Sequence, residues 1–173
     1  MIKKILSTVS IVHASINDYP VIQNMARFYV YDISRYCGFI SKIWEIPADG
    51  LYECFDSITY FDVADRHSFL IKVDEELAGF AIVDKEVKNK NADWNIDEFF
   101  ILAKFQGKNV GKYVAREVFA KFPGHWEVSV LPQNTLALKF WQNAIPYPYV
   151  EAVVDVDYDQ DQPQRIVLSF ISS

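Results

Sequence analysis

Cysteine is scarce in this chain of 173 residues: only Cys37 and Cys54 occur, at no metal-binding or redox spacing. That excludes a disulfide framework and reads as core or partly exposed thiols in a reducing compartment. Histidine is as sparse. His13, His67 and His125 stand isolated, so a structural reading is expected for each, and no metal cofactor. No apolar run approaches the roughly 18 uncharged residues of a membrane span. The N-terminus (Met-Ile-Lys-Lys-Ile-Leu-Ser) starts like a signal peptide, but polar residues and His13 interrupt it, and a cytoplasmic location is expected. Positive charge is in deficit, with 17 basic against 23 acidic residues and a net charge of −6, which argues against nucleic acid as the main partner. Repeats, low-complexity tracts and linkers are absent. Residues 1–173 are therefore expected to form one domain, as a monomer or homodimer.

What is present suits a folded globule: 51% of residues are hydrophobic and 16% aromatic. Residues 8–12 are β-branched and strand-like. Asp18 and Pro20 open a helix with an apolar face from Val21 to about residue 31. Segment 38–66 is mixed, with a short helix expected around Leu51, Cys54, Phe55 and Ile58, and reads as a cap. Residues 67–73 and 77–87 form a hairpin about the turn Asp74-Glu75-Glu76, and 94–102 a further strand. Val110, Val114, Val118 and Phe119 share a helical face that ends at Pro123-Gly124. A strand at 125–131, a helix capped by Asn134, and two strands about an acidic turn complete the chain. The sum is one mixed α/β sheet.

Glycine is also rare, yet two of the six fall in FQGKNVGK, residues 105–112, between a strand and a helix. Such a loop exposes N–H groups without intrahelical partners, and the helix dipole adds positive charge there. Gly107 and Gly111 let backbone and ligand approach closely. Lys104, Lys108, Lys112 and Arg116 accompany them with no acid between, a local reversal of sign in an acidic chain. An anionic ligand is the natural inference, with a glycine-rich turn and solvated lysines the alternative from the loop alone. A Walker loop fails on spacing and because Tyr113 follows Lys112; the dinucleotide fingerprint is missing.

Gln106-Gly107-Lys108-Asn109-Val110-Gly111 resembles the acetyl-CoA loop of the GNAT superfamily of N-acetyltransferases, Gln/Arg-x-x-Gly-x-Gly/Ala, with Asn109 in place of a glycine. IDEFFIL is similar to that family's fourth strand, and NTLALKFW, from Asn134 to Trp141, to its Asn-x-x-Ala-x-x-Phe-Tyr segment. The resemblance spans about Phe69 to Ile145. It implies an acyl-CoA N-acyltransferase fold of α+β type, with a mixed, largely antiparallel central sheet flanked by helices. It implies acetyl-CoA as co-substrate, held by Phe99, Phe100 and Ile101 along the pantetheine arm, by residues 106–112 (Gln106, Gly107, Lys108, Asn109, Val110, Gly111, Lys112), and by Asn134 and Trp141. Asn is the non-glycine residue most at ease in the left-handed region, so Asn109 should not prevent binding. Trp141 stands where many relatives have a tyrosine that protonates the leaving thiolate, and an indole N–H cannot do so.

Amine acetylation requires a neutral amine, hence a base. Glu98, next to the pantetheine-pairing residues, is the first candidate and Glu127 on the following strand the second; strand alternation puts Asp97 on the face opposite Glu98. A surface carboxylate is the plain reading of each. The acceptor would be a small-molecule or peptide amine. Acidic residues at 151–161 and in the cap (Asp49, Glu53, Asp56, Asp62, Asp65) suggest a cationic one by steering. The alternative is a non-catalytic acetyl-CoA-binding sensor or partner-binding module of the same fold, which Trp141 favours.

Overall fold

The runs at 69–71 and 77–83 show no polar alternation, and a strand apolar on both faces must be covered on both. A computed structural model of the protein, describing residues 8–39, 42–61, 63–155 and 164–173, has this arrangement. Strands β1 (Val9–His13), β2 (His67–Val73), β3 (Glu76–Asp84), β4 (Trp94–Ile101), β5 (Gly124–Val130), β6 (Tyr149–Asp155) and β7 (Gln164–Ser172) form one sheet in the order β1-β2-β3-β4-β5-β7-β6. Every pairing is antiparallel except β4 with β5. The sheet is mixed and largely antiparallel, as expected.

Helices α2 (Val110–Lys121) and α3 (Thr135–Ala144) cover one face, where Phe69, Ile71, Ala81, Val83, Phe119 and Trp126 form the larger core. Helix α1 (Tyr19–Cys37) covers the other, packing Ile22, Met25 and Ala26 on Leu70, Phe80, Ile82 and Phe100. Alternation along β2 and β3 thus feeds two cores at once. Among the described residues no helix is long and apolar enough to cross a membrane.

Three local expectations change. Helix α1 continues to Cys37, beyond the apolar face read to about residue 31, because Asp32, Ile33, Arg35 and Tyr36 line a cleft where an apolar stripe is not required, while Cys37 is buried again. Asp18 does not cap α1 through its side chain; its carboxylate accepts from the Ser15 N–H (2.8 Å) and hydroxyl (2.9 Å) and closes the preceding 3-10 turn. The cap segment contains only 3-10 turns, Lys42–Trp44 and Ser57–Tyr60, among its described residues. Gln23 of α1 fixes it, donating to the Phe55 carbonyl (3.1 Å) and accepting from the Ser57 N–H and hydroxyl (both 2.8 Å). The β2–β3 turn is a two-residue one, with Asp74 and Glu75 at φ 49° and 67°.

Candidate active site

Parallel strands β4 and β5 pair only over Trp94–Ile96 and Trp126–Val128, then separate. Beyond Ile96, β4 has a sheet neighbour on the β3 side alone, and the wedge holds two cavities of about 450 and about 590 Å³. They meet at Tyr29, Ile33, Phe99, Asn134, Ala137 and Trp141.

The larger cavity gathers ten of the twelve residues expected to hold the co-substrate: Phe99, Phe100, Ile101, Gln106, Gly107, Asn109, Gly111, Lys112, Asn134 and Trp141. Gly107 has φ +70°, with nothing within 4 Å of where a Cβ would stand, and Asn109 has φ 63°. The loop therefore enters α2 through two left-handed residues, the second at the N-cap. Asn109 makes no side-chain cap, which leaves first-turn N–H groups free of intrahelical partners. The Gln106 amide secures the loop on the Ile101 carbonyl at 2.7 Å.

The basic cluster is less uniform than its sequence suggests. Lys104 is paired with Glu76 (2.6 Å), Arg116 Nε caps the Ala144 carbonyl (3.1 Å), and exposed Lys108 donates to the Lys104 carbonyl (2.8 Å). Only Lys112 of the four lines the cavity. Val110 is buried in the larger core. Gly111 is a glycine for packing: a Cβ there would lie 3.2 Å from the Phe140 ring and 3.4 Å from Ile101. It marks close contact between α2 and α3 at a position that also lines the larger cavity.

The smaller cavity is lined by carboxylates from a bulge in β4. Ile82 of β3 faces Glu98 while Val83 faces Ile96, so Asp97 is an extra residue without a partner. This corrects the alternation argument. Asp97 and Glu98 both turn toward the α1 side, Glu98 hydrogen-bonded to the Tyr29 hydroxyl and Asp97 to that of Tyr60. Burial, then the neighbouring Asp97 charge, pushes the Glu98 carboxyl up to about 8. Burial likewise raises Asp97, against the Tyr60 hydrogen bond and the Arg66 charge. Tyr29 and Tyr60 are raised, first by burial and then by these carboxylates. Behind the pair, fully buried Asp84 is pushed up to about 6 by burial and by Asp97; it accepts from the Asn95 amide (3.3 Å) and lies 3.7 Å from Arg66 Nε. The Arg66 guanidinium stands 4.7 Å from the Tyr60 ring centre.

Glu127 lies off both cavities. It is fully buried, and its two oxygens accept from the Lys88 and Asn89 N–H groups at 2.6 and 2.8 Å, so it anchors the loop after β3. Trp141, 5% exposed, packs edge-on to Phe99 and Phe140 at 5.0 and 4.9 Å. None of the described surface acids expected to steer the acceptor lines the cleft. Glu151 accepts from Gln142, Asp155 from Gln164, Asp56 from the Ile58 N–H, and Asp65 pairs with Lys85. Asp62, Asp157, Asp159 and Asp161 lie outside the described residues. Sequence reasoning missed the wall from α1, Tyr29, Asp32, Ile33 and Tyr36. Their spacing of three and four was the available signal, a helical face that continues after the apolar stripe stops.

Residues 30–144 match the model of the acetyltransferase (GNAT) family. Solved structures share the fold at low identity. An acetyltransferase from Thermus thermophilus is 16% identical with a TM-score of 0.64, over 95% of this chain and 97% of that one. Spermidine N-acetyltransferase from Vibrio cholerae, in complex with CoA and spermine, is 13% identical with a TM-score of 0.64, over 95% of both chains. IAA acetyltransferase from Bacillus cereus ATCC 14579 is 14% identical with a TM-score of 0.59, over 95% of this chain and 99% of that one. No curated protein matches the sequence.

Proposed function

The chain belongs to the GNAT acetyltransferase family, and from that premise we propose that it transfers the acetyl group of acetyl-CoA to a primary amine, with residues 1–173 acting as one catalytic domain. The observation that carries this reading is the carboxylate bulge, Asp97–Glu98, beside the junction of two cavities in the β4–β5 wedge. In this reading acetyl-CoA takes the larger cavity. Its phosphates meet the free N–H groups at the start of α2 and the Lys112 ammonium, and its pantetheine arm runs along the unpaired edge of β4. The thioester then lies near Phe99 and Trp141, where the cavities join.

The acceptor takes the smaller cavity and arrives as an ammonium. Its proton passes to the Glu98 carboxylate; a base whose affinity for protons is raised toward 8 suits that transfer near neutral pH. Asp97 stabilises the incoming ammonium. The neutral nitrogen attacks the thioester carbonyl, forming the C–N bond; the C–S bond breaks, CoA leaves as thiolate, and the second nitrogen proton passes through solvent to that thiolate, leaving a neutral amide and CoA thiol. Glu127, with both oxygens held by backbone, is the weaker candidate for base and acts as a loop anchor instead.

The test follows CoA thiol release and acetylated product together over an amine panel. Equimolar release and product are the expected result. Tight acetyl-CoA binding with no release over the whole panel would favour the non-catalytic module to which Trp141 lends support.

A further inference from the structure

The acidic bulge is not the only charge in the smaller cavity. Lys88, on the loop that Glu127 anchors, and Arg165, at the start of β7, line the same space as Asp97 and Glu98. Lys88 makes no ion pair within 4 Å among the described residues, though its charge acts on Asp97. Its backbone is tied at the closed end of the wedge, since Glu127 is paired with Asn95 just before the strands diverge. Arg165 approaches from two strands away, adjoining the Val130–Ile166 pair. Two carboxylates and two cations, drawn from three separate elements, thus share a cavity of about 450 Å³.

Three side-chain atoms among the lining residues are buried with no hydrogen-bond partner: Asn95 Oδ1, Ser129 Oγ and Trp44 Nε1. Asn95 is 3% exposed. Orphaned polar atoms at such depth are rare in native proteins and call for a partner. One of these is an acceptor, one a donor, and the hydroxyl is both. An ammonium supplies donors for Asn95 Oδ1 and Ser129 Oγ; an anion accepts from Trp44 Nε1.

Resting on the acetyltransferase reading of this cleft, we infer that the acceptor is a zwitterion: an amino acid, or a small amine bearing a comparable anionic group. Its ammonium lies at the Asp97–Glu98 bulge and its anion between Lys88 and Arg165. Val30, Ile33, Phe55 and Leu131 complete the lining, so an apolar side chain is accommodated. A polycation would set its second charge against Lys88 and Arg165. The cavity discriminates against it by repulsion, the element that specificity commonly requires.

The experiment compares free amino acids with their carboxamides, which keep the ammonium and lose the anion, and includes spermidine. Binding is measured calorimetrically on the CoA-bound protein, and acetyl transfer separately. Leucine and phenylalanine should each bind at least ~10-fold tighter than the corresponding amide, because the amide forgoes a charge-assisted hydrogen bond. That ratio should fall toward one in Lys88→Gln and Arg165→Gln, whose melting temperatures serve as a check on folding. An acid-to-amide ratio at or below one, a ratio unchanged in both variants, or tighter binding of spermidine would overturn the zwitterion and leave amine acetylation standing. The expected ratio without transfer to any compound would overturn acetyl transfer and leave the zwitterion site standing.

Discussion

One side of the larger cavity is built from backbone features: an unpaired strand edge, a loop with Gly107 and Asn109 in left-handed conformations, and the open first turn of α2. The smaller cavity presents side chains from α1, the cap, the loop after β3, the β4 bulge and β7. The first is also walled by Asp32, Arg35, Tyr36 and Lys112, while the second holds the β4 carboxylates Glu98 and Asp97, whose proton affinities both move upward. A backbone site tolerates changes of side chain and fails when the chain path changes. A side-chain site fails when one atom changes. Binding and chemistry should separate along that line.

The largest separation is expected for Glu98→Gln. Loss of a positioned base costs at least ~10²-fold in turnover, while acetyl-CoA affinity should stay within about twofold. Because Glu98 is held near 8, the wild-type rate should climb as pH rises toward 8, and the variant should lack that limb. Stability moves the other way. The folded carboxyl keeps its proton when an unfolded one, near 4.5, has released it, so wild-type stability falls as pH rises from about 4.5 through about 8. Glu98→Gln should therefore gain on the wild type in melting temperature at pH 9 relative to pH 4. A parallel loss of acetyl-CoA affinity would erase the distinction between the cavities.

Glu127→Gln sharpens the same point from a carboxylate that is buried but off the cleft. Its two short bonds to backbone N–H groups are charge-assisted, and hydrogen bonds of that kind contribute ~1.5–3 kcal/mol each. The variant should lose about 2 kcal/mol in denaturant unfolding and keep the wild-type shape of the pH–rate curve. A curve flattened like that of Glu98→Gln would reassign the base.

Legibility in the sequence follows the same division. The sheet, the hairpins, α2 and α3 were readable because period and turn residues are local, and ten of the twelve residues named for the co-substrate line one cavity, drawn from two contiguous motifs plus Asn134 and Trp141. The β4 bulge was not readable. Alternation assumes one residue per partner, and only the register against β3 reveals that Asp97 is supernumerary. Gly111's packing against Phe140 was not legible, because glycine between two helices and glycine beside a ligand look alike in sequence. The basic cluster misled for a similar cause: Glu76 and the Ala144 carbonyl, which occupy Lys104 and Arg116, lie 28 residues from each along the chain.

The two glycines offer a smaller test. At φ +70° a valine at Gly107 would be strained by ~1–3 kcal/mol, and the strain falls on the loop that lines the larger cavity. Gly107→Val should weaken acetyl-CoA binding by about tenfold and also lower the melting temperature by about 5 °C. Gly111→Ala should separate the two readouts. Its Cβ presses on Phe140 at 3.2 Å, so it should lower stability by about 1 kcal/mol and alter affinity less than about threefold. Calorimetry and thermal unfolding on both variants would decide, and equal affinity losses would show that Gly111 also faces the ligand.

The smallest effect belongs to Lys108. Its ammonium is exposed, bonds the Lys104 carbonyl and does not line the cavity, whereas Lys112 does. At that remove it acts on the ligand only through the solvent-screened field, whose reach is about 10 Å at 0.1 M salt. Lys108→Ala should weaken acetyl-CoA binding about twofold in dilute buffer, and the difference should vanish by about 0.5 M salt, where the screening length is shorter still. Lys112→Ala should be the larger loss and should persist in part at that salt, because a contact inside the cleft is less screened than a charge outside it. Titrations of both variants at two salt concentrations measure this directly. A salt-resistant loss for Lys108 would mean that its side chain leaves the Lys104 carbonyl and reaches the ligand, adding a second lysine contact beside Lys112.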